Sequence, residues 1–149
     1  MGFFLRLASC LLLAIFMALA ASPATSDAAK IIVGGPQRWH FGFNYSEWAC
    51  KNGPFYINDT LVFMYDPPSN TTFPHSVYMM KDLKSYRTCN LKKAKLVGGV
   101  ADGGRGGLEF VLKKRKKPYF FACGERAGFH CSQGMMKFAV LPVPRVCLG

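Results

Sequence analysis

Acidic residues are scarce in this chain: eight Asp and Glu stand against nineteen Lys and Arg, a formal net charge of +11. No pair of carboxylates forms a general acid/base site. No Ser-His-Asp arrangement is present, and no glycine-rich loop has the spacing that cradles a nucleotide. Catalysis is therefore not expected. Histidine is sparse too, with only His40, His75 and His130, so the multiple His-x-His sets of a polynuclear metal centre are missing. The basic run Lys113-Lys-Arg-Lys-Lys117 lacks interleaved aromatics, and no nucleic-acid motif accompanies it, which excludes nucleic acid as a partner. It reads as a solvated turn between strands. Outside a cell it would favour anionic partners such as acidic cell-wall polysaccharide, through non-specific electrostatics.

Long hydrophobic runs are lacking except at the start. Arg6 precedes the almost wholly apolar Leu7 to Ala21, and small residues follow in Ala18-Leu19-Ala20 and Ser26-Asp27-Ala28. That pattern is a secretory signal peptide spanning 1–29, cleaved between residues 20 and 29. It is short for a bilayer span, and Pro, Thr, Ser and Asp follow it, so no stable membrane anchor is expected. The remainder, 30–149, is one domain that is secreted and acts as a monomer. Three sequons, at Asn44, Asn58 and Asn70, agree with that route and mark candidate glycosylation sites.

Cysteine usage is informative because the count is odd. Cys10 leaves with the signal peptide, and Cys50, Cys89, Cys123, Cys131 and Cys147 remain. In an oxidising compartment four form two bridges and one is left over. The leftover thiol is a metal-held thiolate, a buried inert cysteine or half of an intermolecular bridge.

Short β-rich runs recur along the chain. They are Lys30-Ile-Ile-Val33, Phe55-Tyr-Ile57, Thr60 to Tyr65, His75 to Met79, Gly107 to Leu112, Tyr119 to Cys123 and Met135 to Leu141, punctuated by Gly, Pro and Asn. The pattern predicts an all-β protein, a Greek-key β-sandwich. Asp82 to Lys95 is the one place for a short helix. The glycine-rich stretch from Val97 to Gly107 predicts a flexible loop.

One segment concentrates chemistry: Cys123-Gly-Glu-Arg-Ala-Gly-Phe-His130-Cys131-Ser-Gln-Gly-Met135, with His75 upstream. Two imidazoles, a thiolate and a weak axial thioether form a ligand set that selects copper and suits electron transfer. His40 has no such companions and reads as a surface residue.

Further motifs carry a family resemblance. They are Ile31-Ile-Val-Gly-Gly-Pro-Gln-Arg-Trp39, Trp48, Phe55-Tyr-Ile-Asn-Asp-Thr-Leu-Val-Phe63, His75-Ser-Val77 and Tyr86-x-x-Cys89. With them the chain resembles the phytocyanins, blue copper proteins of the cupredoxin fold, and looks most like their plantacyanin branch. The resemblance implies a single type 1 copper held by His75, Cys123, His130 and Met135. It also implies a Cys89–Cys131 disulfide, which leaves Cys50 and Cys147 for a second bridge. Six residues, Gly124 to Phe129, separate Cys123 from His130, a longer spacer than the family's. In Gly134-Met135-Met136-Lys137 the distance from the histidine favours Met135 as axial ligand, and proximity to the lysine favours Met136. The function implied is one-electron transfer to a redox partner the sequence does not name. The alternative is a metal-free extracellular module that binds cell-wall polysaccharide or acts in signalling.

Overall fold

The computed structural model describes residues 27–145. The signal segment up to residue 26 and the tail from 146 onward, with Cys147, lie outside the described residues. Among the described residues seven strands form two sheets: β1 (Lys30–Ile32), β2 (Thr60–Phe63), β3 (Val77–Met79), β4 (Lys95–Gly98), β5 (Leu108–Val111), β6 (Tyr119–Ala122) and β7 (Lys137–Val140). One sheet runs β1-β2-β5 and the other β4-β3-β6-β7. β1 and β2 are parallel, and every other pairing is antiparallel. This is the expected all-β, Greek-key sandwich, with three short helices added: α1 (Tyr45–Asn52), α2 (Leu83–Thr88) and α3 (Phe129–Ser132). No helix among the described residues is long and apolar enough to cross a membrane.

The core is aromatic. Trp39, Tyr45, Phe63, Phe121 and Phe138 are fully buried between the sheets, and Trp39 meets Phe63 edge-on with centroids 5.3 Å apart. Such edge contacts add to the large area these rings remove from water. β6 departs from alternation because both of its faces are covered. Tyr119 and Phe121 face the sandwich core. Phe120 and Ala122 join Met80, Cys89 and Cys131 in a second cluster that includes Tyr86 of α2.

Two strand segments differ from the sequence reading, and α1 and α3 lie outside the one stretch expected to be helical. Phe55 to Ile57 is not a strand; Tyr56 makes only an isolated bridge to Val143. The glycine-rich loop begins later than expected, because Lys95–Gly98 pairs with β3 as an edge strand. Its lysine and glycine are what edge strands carry and what disguises them. The unanticipated α1 follows from local chemistry. The Asn44 side chain accepts from Glu47 N–H at 3.1 Å and caps the helix. Glu47 pairs with Lys51 one turn on, and Tyr45, Trp48 and Ala49 form the buried face.

Just before β2, the buried Asp59 ties distant segments together. Its carboxylate accepts from Ala29 N–H at 3.0 Å and Tyr56 N–H at 2.9 Å, and it pairs with Arg145. Arg145 also lies over the Tyr56 ring.

Candidate metal centre

His75 stands just before β3, Cys123 just after β6 and His130 within α3. The antiparallel pairing of β3 and β6, with Tyr78 opposite Ala122, brings the first two to the same end of the sheet. Cys123 Sγ lies 3.6 Å from His130 Nδ1 and 4.0 Å from His75 Nδ1. The potential ligand atoms of all three lie within 4.8 Å of one another, and all three residues are buried.

The long Cys-to-His spacer does not carry His130 away. It folds into a 3-10 turn at Arg126–Gly128, where Ala127 and Gly128 adopt left-handed conformations (φ 52° and 90°). His130 N–H reaches back to Glu125 O at 3.4 Å. Glycine is required at Gly128, since a Cβ there would sit 2.8 Å from Cys89 O. Behind the turn, Cys89 and Cys131 are joined by a disulfide, the pairing the resemblance implies. It fixes the residue next to His130 against the end of α2.

Residues the sequence did not assign to the site hold the ligands in place. Trp39 Nε1–H donates to Ser76 O at 3.1 Å, and Gly124 N–H donates to Ser76 Oγ at 3.3 Å. Ser76 thus couples the backbone beside His75 to the backbone beside Cys123. Phe41 packs edge-on against the His130 ring, centroids 5.2 Å apart. Gly42 N–H to Gly134 O, 2.9 Å, locks that segment to the turn after α3. A buried Trp indole is a common signal for such a donor, but its acceptor is visible only in three dimensions.

The two candidate methionines are placed differently. Met135 is 41 % exposed with φ 54° and lines a surface groove with Gly42, Phe43, Asn44 and Trp48. Met136 is fully buried in the same core cluster as Cys123. The backbone register sets Met136 opposite Cys123. Ala122 pairs with Lys137, so the next position along sets Cys123 beside Met136, and Cys123 N–H donates to Met136 O at 2.9 Å. Cys50 is exposed and unbridged among the described residues, and its expected partner Cys147 lies outside them. His40 bonds its own neighbour, with Nδ1 2.8 Å from Phe41 O. Asn44, Asn58 and Asn70 are all exposed.

Burial keeps the cluster uncharged. Burial, with His130 and His40 nearby, pulls the His75 imidazole down to about 4. Burial also lowers His130, opposed by Glu125 and reinforced by Arg126. Burial pushes the Cys123 thiol up, against hydrogen bonds from Ser76 and Glu125. At neutral pH both rings are therefore neutral with lone pairs to offer, and the thiol keeps its proton until a metal displaces it. A soft sulfur and two imidazoles in a dry, crowded site fit copper better than a hard oxygen-seeking cation.

A family model described as a plastocyanin-like domain matches residues 39–135. The chain is 28% identical over 130 residues to blue copper protein 1b of Medicago truncatula, covering 87% of this chain and 70% of that protein. It is 30% identical over 132 residues to early nodulin-like protein 4 of Arabidopsis thaliana, covering 87% of this chain and 52% of that one. The solved structure of cucumber basic protein, a blue copper protein, superposes with a TM-score of 0.58 at 29% identity, over 77% of this chain and 100% of that one. Cucumber stellacyanin superposes with a TM-score of 0.59 at 25% identity, over 80% of this chain and 100% of that one. With its buried His75-Cys123-His130 cluster at the end of a two-sheet sandwich, the chain belongs to the phytocyanin family of plastocyanin-like proteins.

Proposed function

We propose that the protein is a secreted, single-site blue copper protein that carries one electron at a time and is not an enzyme. The observation that carries this reading is the convergence of His75 Nδ1, Cys123 Sγ and His130 Nδ1 in a buried pocket. These three side chains would hold the metal, and the thioether of Met136, buried in the same cluster as Cys123, would add a fourth and weaker ligand. Its burial beside Cys123 supports it over the Met135 that the motif spacing favours, whose side chain is exposed. Copper bound there would supply the Cu(I)/Cu(II) couple of a type 1 centre.

The chain's own part is rigidity and access. Ser76, held by Trp39 and Gly124, limits how far His75 and Cys123 can separate. A stiff ligand frame keeps rearrangement small between two charge states. His130 lies at the edge of an apolar hollow of about 400 Å³ lined by Phe41, Phe73, Arg126 and Phe129. A redox partner docking there would approach the imidazole edge through aromatic side chains, where water is excluded. Secretion is supported by the apolar leader sequence and by the Cys89–Cys131 disulfide, which suits an oxidising compartment.

Titration of the purified protein with Cu(II) tests the reading. The expected result is about one copper bound, with an intense blue thiolate-to-copper absorption that Cys123→Ser abolishes. A folded protein with reduced Cys123 that stays colourless and copper-free would leave the metal-free extracellular module as the better account.

A further inference from the structure

The cations of this chain are not spread evenly. The β5–β6 turn carries Lys113, Lys114, Arg115, Lys116 and Lys117. Lys81 follows β3, Lys84 lies on α2, and Lys95 is paired directly opposite Met79. Arg115 joins these segments: its Nη1 lies 3.7 Å from Met79 Sδ, and its guanidinium lies 4.3 Å from the centroid of the Tyr119 ring. A groove of about 410 Å³ runs between them, lined by Lys81, Asp82, Leu83, Arg115, Lys117, Pro118 and Phe120. None of the three ion pairs found among the described residues involves these cations. Asp82 is the one acid in the lining. Its carboxylate caps α2, accepting from Ser85 N–H at 2.8 Å, and the positive charges of Lys81 and Lys84 act on it too, so one acid faces five or more cations.

The position of this cluster is set by strand direction. β6 begins beside Lys117 and ends beside Cys123, and β3 begins beside His75 and ends beside Lys81. At about 3.3 Å per residue, Lys117 lies about 20 Å from Cys123, at the opposite end of the sheet from the metal centre. The molecule is bipolar: an aromatic face surrounds His130, and a basic groove occupies the far end.

We propose that this groove is a binding site for a polymer of repeating carboxylates, a polyuronate. Three features select that class. The groove gathers cations from separate segments, Lys81 after β3 and Arg115 and Lys117 in the β5–β6 turn, which suits a ligand carrying several carboxylates. Arg115 is held over Tyr119 and against Met79, so its guanidinium is placed before a carboxylate arrives and can pair with both its oxygens. The floor is apolar but not open: Leu83 and Pro118 offer C–H surface for a sugar ring, while Phe120 is buried and cannot stack on a base. Bound at this end, the polymer leaves the Phe41, Phe73 and Phe129 face free, so the protein would be anchored with its metal end outward. This inference rests on the charge layout and is independent of copper occupancy.

The test is binding of the mature chain to polygalacturonate in low salt, with neutral dextran and phosphatidylserine vesicles as comparison arms. Wild-type protein is expected to bind polygalacturonate and to weaken steeply as salt rises. The double variant Arg115→Glu/Lys117→Glu is expected to bind about tenfold more weakly or worse. The control Arg38→Glu/Arg105→Glu makes the same change in net charge elsewhere and should stay within about twofold of wild type. Circular dichroism verifies each fold. If the first variant misfolds, Lys81→Glu/Lys84→Glu, on exposed positions, takes its place. Equal loss in the control would mean diffuse charge attraction and overturn the site. So would failure of the wild type to bind, or vesicle binding that is as tight and depends on the same residues.

Discussion

The backbone N–H of Cys123 donates to the carbonyl of Met136 at 2.9 Å. That one bond extends the β6–β7 ladder past Ala122 and Lys137 and fixes which methionine follows the thiol into the interior. In a strand, a slip of one residue exchanges the buried and exposed faces. Here it separates a fully buried Met136 from a Met135 that is 41 % exposed.

The first prediction follows from that register. Met136→Gln should retain the blue absorption of the copper-loaded protein and lower its reduction potential, because an amide oxygen favours Cu(II) more than a thioether does. Met135→Gln should leave colour and potential unchanged. Spectroelectrochemistry of the two variants decides, and a potential shift confined to the Met135 variant would reverse the axial assignment.

A second prediction concerns the close approach that supports His130. A Cβ at Gly134 would lie 2.5 Å from Phe41 Cδ2 and 2.6 Å from His130 O. The backbone oxygen cannot swing aside as a side chain can. Gly134→Ala is therefore expected to cost about 1–3 kcal/mol of stability through overpacking and to weaken copper binding with it. Thermal melts with and without copper would show both effects. A variant that melts and binds like wild type would mean the turn after α3 yields more easily than its packing suggests.

Acid stability gives a third. Burial pushes the Asp59 carboxyl up, but the N–H groups of Ala29 and Tyr56 and the guanidinium of Arg145 outweigh it and hold the pKa below the ordinary aspartate value. A carboxyl whose pKa is lower folded than unfolded stabilises the fold while ionised. That contribution is complete above the unfolded value near about 3.9 and is lost as pH falls through the folded one. Asp59→Asn should be less stable at neutral pH and lose less stability on acidification than wild type. Urea melts across that range would show the two curves converging toward low pH; parallel curves would contradict the role given to Asp59.

How much of this was legible in the sequence depended on whether the signal was local. Cys123, His130 and His75 stood out because thiol and imidazole are rare here and their chemistry is specific. β2, β5, β6 and β7 announced themselves through β-branched and aromatic runs. α1 was missed although Asn44 and Glu47 have cap spacing and Tyr45, Trp48 and Ala49 share a helical face; its short, aromatic-rich sequence resembles a strand. β4 was hidden because its pattern, Lys95 to Gly98, is that of an edge. The choice between Met135 and Met136 was not local at all. It depends on which residue of β7 faces Ala122, and two adjacent methionines satisfy any spacing argument.

The final prediction concerns the disulfide behind the site. Cys131 is the residue after His130, and its bridge to Cys89 closes a separation of 42 residues. Cys89 also ends α2, in a left-handed conformation with its N–H reaching Ser85 O and Tyr86 O. Removing the cross-link restores freedom to the unfolded chain, worth about 2–5 kcal/mol in small secreted domains. It also frees α3 to move relative to α2. Cys89→Ala/Cys131→Ala is therefore expected to lower the melting temperature of the metal-free protein and, separately, to speed copper loss to a chelator at temperatures where the variant is still folded. Cys123→Ser should instead abolish the blue colour at once with little change in the metal-free melt, since its thiol makes no cross-link. If the double variant lost thermal stability yet held copper as long as wild type, the bridge would serve the fold alone and the position of His130 would rest on the Arg126–Gly128 turn and Phe41.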